Sequence, residues 1–137
     1  MKETSIWKNV NVSEEDNQLY EQVDQFFESL YGSRELEYRE GQHTMALDIV
    51  DTIRDRQILL IEAQVGIGKS YAYLIPLLTA IQNEESFHGF IIATSTIALQ
   101  EQLLNDVNKV AEMLNIGPID VVLAKGKNNY MCMSRLS

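Results

Sequence analysis

The sequence predicts an α/β fold, a parallel sheet flanked by helices, and three observations predict it. The runs at 57–63, 88–95 and 119–125 (QILLIEA, HGFIIATS and IDVVLAK) are short and dense in apolar residues, as strands buried on both faces are. Helical periods fill the spaces between them, and strands alternating with helices call for a parallel sheet covered on both sides. At 137 residues and 45% hydrophobic content, the chain has enough apolar matter for one ordinary core.

Taken in order, residues 13–32 predict an amphipathic helix, because Leu19, Val23, Phe26, Phe27 and Leu30 recur at steps of three and four. Ser13 is its predicted cap. Glu14, Glu15 and Asp16 suit the positive end of its dipole, and Gly32 its close. A second helix is predicted over 39–55, with Met45, Ile49 and Ile53 on its apolar face. The strand at 57–63 has five apolar positions interrupted only at Glu62, and a glycine-bearing loop turns it into a helix over 69–82 that Pro76 should kink. The strand at 88–95 leads into a long helix over 96–116, stopped by Gly117 and Pro118, and the strand at 119–125 follows. There is no internal repeat, linker or low-complexity segment.

Charge and composition narrow the function classes. The formal net charge is −9, and residues 1–56 carry thirteen acidic against six basic side chains, a balance of −7. Such a chain does not bind nucleic acid by bulk attraction to phosphate, although local contacts stay open to it. Lys125, Lys127 and Arg135 make the end at 121–137 the one locally positive stretch; a solvated end is its plain reading and backbone contact its functional one. A single cysteine, Cys132, cannot form an internal disulfide and fits a cytosolic setting. The start has no apolar core segment, which argues against a signal peptide, and no run approaches the roughly 18 apolar residues of a membrane span. The expectation is a cytoplasmic protein with no membrane partner. His43 and His88 have no second metal-type ligand at helical spacing, so both are expected to be solvated.

The stretch IEAQVGIGKS, residues 61–70, carries chemistry. A strand ending in Gly66 and Gly68 lets the backbone turn tightly and aim several N–H groups inward, where the next helix adds its positive end. Such a bend is an anion cradle. Lys69 can reach the terminal phosphates of a nucleotide, and the Ser70 hydroxyl can ligate a magnesium ion bridging them. The alternative is a strand-to-helix turn with coincidental glycines; the order of strand, GxGKS and apolar helix favours nucleotide binding. Ala63 stands where the general phosphate-loop pattern has glycine, so AQVGIGKS fits the form AxxGxGKS that resembles motif I of superfamily 2 helicases.

Four further stretches resemble, in order, the DinG-type relatives of the XPD iron–sulfur helicases. YREGQHTM is similar to their RxGQ nucleotide-recognition motif, with Arg39 and Gln42 in the matching places. The motif I octet runs on into SYAYLIPLL, like the family's YLxPxL helix. ATSTIALQEQLL resembles motif Ia, and AKGKNNYMCMSRL resembles a KGRxNYxCxxRL segment. The resemblance covers about residues 38–136.

The resemblance implies a partial RecA-like P-loop NTPase motor domain, truncated, over 38–137, preceded by an amphipathic helix region over 1–37. It implies that Arg39, Gln42, Ala63, Gln64, Val65, Gly66, Ile67, Gly68, Lys69 and Ser70 bind ATP. In it Gln42 takes the adenine edge, Lys69 and Ser70 form the catalytic cradle, and Ser70 holds Mg2+. Single-stranded DNA is the implied partner, touched by Thr94, Ser95, Thr96 and Gln100 through uncharged hydrogen bonds. Thr96 can also cap its helix, and Gln100 can equally be a solvated helix-face residue. Cys132 takes the place of the first of four ligands to a [4Fe–4S] cluster. Because such a cluster needs four thiolates and this chain has one, that role applies only to a longer parent, and here Cys132 reads as a free thiol.

The same resemblance assigns the other cluster cysteines, a DEAH-type motif and a second motor domain with its arginine finger to sequence beyond Ser137. The expected function is thus the ATP-binding portion of an ATP-dependent DNA helicase moving 5′ to 3′. Little or no ATPase activity is expected from these residues alone, and Glu62 is read as local structure rather than as a catalytic base. Uncovered sheet edges would favour self-association. The rivals are a P-loop ATPase that does not act on nucleic acid and a short, non-catalytic interaction or nucleotide-binding module.

Overall fold

The computed structural model describes residues 14–31, 33, 37–83, 89–126 and 129. These residues form four helices, α1 (Glu14–Ser29), α2 (Glu40–Asp55), α3 (Lys69–Asn83) and α4 (Ile97–Met113). Helix α3 is the hub, packing against the other three, while α1 also packs against α2. This position explains its composition. Ala72, Leu74, Ile75, Pro76, Leu78, Thr79 and Ala80 are all buried, so α3 has no single apolar stripe but is apolar around most of its girth. The helix runs across Pro76, and the Thr79 hydroxyl donates to the carbonyl of Ile75 at 2.8 Å.

Each outer helix brings one face to α3. From α1 come Leu19, Val23, Phe27 and Leu30, as the periodicity predicts, with Phe26 only half-buried at the rim. From α2 the buried face is Gln42, Ala46 and Val50, one residue round from the predicted Met45–Ile49 stripe. Small Ala46 lets the backbones approach, which large side chains there would prevent. Val107, Val110 and Ala111 close the core from α4. Burying one such Leu, Ile or Phe side chain is worth about 1.5–3 kcal/mol, so this four-helix contact supplies the main driving force.

The helix ends are specified locally. Thr96 caps α4 by accepting from the amide of Leu99 at 3.2 Å, as predicted. Helix α4 then stops at Met113, ahead of the predicted end, because Asn115 turns left-handed at φ 54° and Ile116 N–H returns to Ala111 O. Helix α2 closes similarly through Arg56 at φ 52°, with Gln57 N–H on Thr52 O. The predicted cap Ser13 and stop Gly32 of α1 lie outside the described residues, as do His88, Lys127, Cys132 and Arg135.

The parallel sheet is not found. Among the described residues there is no strand: 57–63, 89–94 and 119–125 are irregular and make no ladder with one another. A strand needs neighbours to accept its N–H and C=O groups, whereas a helix satisfies its own within the segment. An apolar run alone therefore cannot make a sheet. The second and third segments instead lay Phe90, Ile92 and Ile119 on the helices, while the first puts no residue on the core. Ile58, Leu60, Ile91 and Val122 are 101, 97, 97 and 88% exposed, where a doubly covered strand would bury them. The sheet edges expected to drive self-association are absent with the sheet. Among the described residues, no helix is long and apolar enough to cross a membrane.

Candidate functional site

Residues 63–70 form the turn that carries the chain from the preceding segment into α3. Gly66 and Gly68 both take positive φ, 93° and 80°, a region that side chains with a Cβ rarely enter. The two glycines are needed for different reasons. Around Gly66 there is open space, so only its backbone angle demands glycine. At Gly68 a Cβ would also lie 2.3 Å from Gln42 Nε2, so the site requires both the angle and the missing side chain.

Two side chains from the start of α2 hold the loop carbonyls. Arg39 Nη1 donates to Gly66 O, and Gln42 Nε2 donates to Gly68 O at 2.9 Å. Gly68 O also accepts from the amides of Tyr71 and Ala72, at 3.1 and 3.2 Å, which begins the helix. Arg39 is the N-cap residue of α2 and makes no side-chain cap hydrogen bond, because a guanidinium has no acceptor to offer; it donates instead to the loop and to Glu37 at 3.4 Å. Gln42 is 5% exposed, and its Oε1 has no protein partner among the described residues.

Beyond this grip, Lys69 and Ser70 open α3, and their own amides have no backbone acceptor among the described residues. Lys69 is exposed and makes no ion pair among the described residues. Burial pushes the Tyr73 phenol up, the nearby Ser70 hydroxyl partly offsets the rise, and the Asp106 charge adds to it. Beside the loop a cleft of about 530 Å³ opens between α2 and residues 61–67. Met45, Ile61 and Ile67 give it apolar walls, while Glu40, Asp48 and Glu62 make it acidic. It is therefore a poor place for phosphates and a fair one for an uncharged ring. Ala63 and Gln64 line the same cleft; Val65 is 99% exposed at the tip.

Of the residues read as nucleic-acid contacts, Thr94, Ser95 and Thr96 lie just ahead of α4 and Gln100 in its first turn. Thr94 donates its hydroxyl to Thr96 O at 3.1 Å, and Thr96 spends its acceptor on Leu99 while keeping a donor. Ser95 is exposed. Gln100 is tied down: its Nε2 donates to Ala124 O at 3.3 Å, and its Oε1 is buried without a partner among the described residues. Lys125 of the same segment pairs with Glu101 at 3.6 Å.

One cluster escaped the sequence reading. His43, expected to be solvated, has a side chain only 12% exposed. Its Nε2 meets Asp24 Oδ1 at 2.8 Å, its Nδ1 meets the Tyr38 hydroxyl at 3.1 Å, and its ring stacks on Phe27. Asp24 and Phe27 lie three apart on α1, one helical step, and that spacing was the available signal.

A glycine-bent loop leading into a helix with an exposed lysine at its first position is an arrangement able to hold an anion. The chain belongs to the DEAD/DEAH box helicase family, which matches residues 39–134. It is similar to the ATP-dependent DNA helicase YoaA of Escherichia coli, 40% identical over 99 residues, 72% of this chain and 14% of that protein. It is also similar to the 3'-5' exonuclease DinG of Bacillus subtilis, 35% identical over 71% of this chain and 10% of that one. With the ATP-dependent helicase DinG of Mycobacterium tuberculosis it shares 32% identity over 72% of this chain and 15% of that one. The chain thus spans a small part, 10–15%, of the length of these curated relatives. No solved structure matches it.

Proposed function

We propose that the chain is the ATP-binding portion of an ATP-dependent DNA helicase of the DinG type, with residues 63–70 as the cradle for the phosphates. The observation that carries this reading is the pair of side-chain bonds from Arg39 and Gln42 to the carbonyls of Gly66 and Gly68. They hold the loop bent before any ligand arrives, so the entropy of shaping it is already spent. Membership of the helicase family and the names of the similar proteins support the same reading.

In it, the α3 amides and the Lys69 ammonium meet the triphosphate, where the helix end and a point charge act together. Gln42 has its Oε1 to offer an adenine amino group, with the ring against Met45 and Ile67 in the cleft. The Ser70 hydroxyl is a hard oxygen ligand of the kind magnesium takes, so the residues present fit the ion. Magnesium, when bound, supplies charge neutralisation at the outer phosphates. The donors of Ser95 and Thr96 contact a single-stranded DNA backbone, and movement is 5′ to 3′. A [4Fe–4S] cluster does not fit this chain's own residues, since Cys132 is its single cysteine.

Equilibrium titration with a fluorescent ATP analogue and magnesium tests the proposal. Saturable binding that Lys69→Ala weakens at least tenfold supports it; equal binding by both proteins removes the cradle from the account.

A further inference from the structure

We propose that α1 is a working part of the nucleotide site, and that His43 is the positioning residue through which it acts. The inference rests on the reading of residues 63–70 as a phosphate cradle and extends it to an element that nothing so far explains, because α1 lies wholly before the family-matched residues 39–134.

The His43 ring is held on three sides. Its Nε2 lies 2.8 Å from Asp24 Oδ1, its Nδ1 lies 3.1 Å from the Tyr38 hydroxyl, and Phe27 lies parallel to it at 4.9 Å between ring centroids and 13° between planes. Asp24 and Phe27 belong to α1, Tyr38 to the segment entering α2. Three fixed contacts on a flat ring leave it no alternative position, and the ring belongs to the first turn of α2.

That turn is the one that grips the loop. Arg39 O accepts from both Gln42 N and His43 N, at 3.0 and 3.1 Å, so the three residues move as one unit. The turn has no side-chain cap of its own, since the Arg39 guanidinium has no acceptor. What fixes it laterally is His43 against α1. Precision is required there: Gln42 Nε2 sits 2.9 Å from Gly68 O, in space that a Cβ on Gly68 would fill. A shift of the turn by an ångström toward the loop collides, and one away loses the bond. The chain of contacts runs from Asp24 through His43 to Gln42 and the Gly68 carbonyl.

The bland account is that His43 merely packs the core, and the test separates the two. Hydrogen exchange of the full chain is measured without nucleotide over residues 64–70 and over α4, for the wild type, Asp24→Leu, His43→Phe and Asp24→Asn. Affinity for the fluorescent ATP analogue is measured beside it. Removing one hydrogen bond of about 1 kcal/mol corresponds to about a fivefold change. The expected result is loop exchange about fivefold faster in Asp24→Leu and His43→Phe, unchanged exchange in α4, and a parallel loss of affinity; Asp24→Asn, which keeps an oxygen acceptor, restores both. Faster exchange spread equally over α4, or loop exchange and affinity unchanged in folded variants, overturns the proposal. Asp24 is on the rim of α1, so its variants report even where His43→Phe does not fold. The exchange measurement needs no nucleotide, so it decides the proposal even if the ATP reading fails.

Discussion

Gln42 donates its side-chain amide to the carbonyl of Gly68 across 2.9 Å, joining two motifs that stand 26 residues apart. The bond makes the spacing of the motifs a physical requirement, since the α2 start must lie over the bend of the loop. It also ranks the two glycines of the bend.

Gly68→Ala should cost more than Gly66→Ala. Both pay about 1–2 kcal/mol for forcing a Cβ into positive φ, but only at Gly68 does the new methyl meet Gln42. Urea unfolding should show about 1–2 kcal/mol lost for Gly66→Ala and more than that for Gly68→Ala. Equal losses would mean that the Gln42 contact contributes nothing.

Arg56→Gly should stabilise the protein. Arg56 closes α2 at φ 52°, a conformation that glycine takes without strain. After the extra backbone entropy of glycine is subtracted, a gain of about 0.5–1 kcal/mol remains, to be read from the unfolding midpoint. A loss would contradict the left-handed cap.

Ile58→Thr and Leu60→Thr should each change stability by less than about 0.5 kcal/mol, as exposed positions do. Leu78→Ala, in the centre of α3, should cost about 2–5 kcal/mol. These three variants test the absence of the sheet directly, because in a doubly covered strand Ile58 or Leu60 would cost as much as Leu78.

The Tyr38 phenol should ionise late, near pH 12. Its hydrogen bond with Tyr31 is the largest cause, followed by burial and by the charges of Tyr31, Glu40 and Asp24. The folded value lies above the ordinary one of 10.0. Below the ordinary value the tyrosine is neutral in both states and its contribution is intact. As pH rises toward about 12 the unfolded chain loses this proton first, so stability falls. Tyrosinate absorbance should show a late step that Tyr38→Phe removes and Tyr31→Phe moves to lower pH.

The helices were legible because each makes its hydrogen bonds within its own segment and shows its buried face as a period. Leu19, Val23 and Phe27 of α1 are where that period puts them. On α2 the reading slipped by one residue, since a search for large apolar side chains prefers Met45 and Ile49 to Ala46 and Val50, which α3 requires to be compact. The sheet was misread at Ile58, Leu60 and Ile91, because apolar density reports a preference for burial and says nothing of the partners that burial needs. In the candidate site, the bend at Gly66 and Gly68 and the helix start at Lys69 follow from a local pattern. The bonds of Arg39 to Gly66 and of Gln42 to Gly68 join distant segments, and Gln42 was assigned to the adenine without sign that its amide is engaged with the loop. His43 looked solvated because Asp24 and Phe27 lie nearly 20 residues away in sequence.

The most direct test of the cradle is nuclear magnetic resonance of the backbone amides of Gly66, Gly68, Lys69 and Ser70 during addition of magnesium with ATP, and separately of inorganic tripolyphosphate. The account predicts that these four amides shift with both ligands and that Lys69→Ala abolishes the response. Shifts confined to other parts of the chain, or none with either ligand, would contradict it.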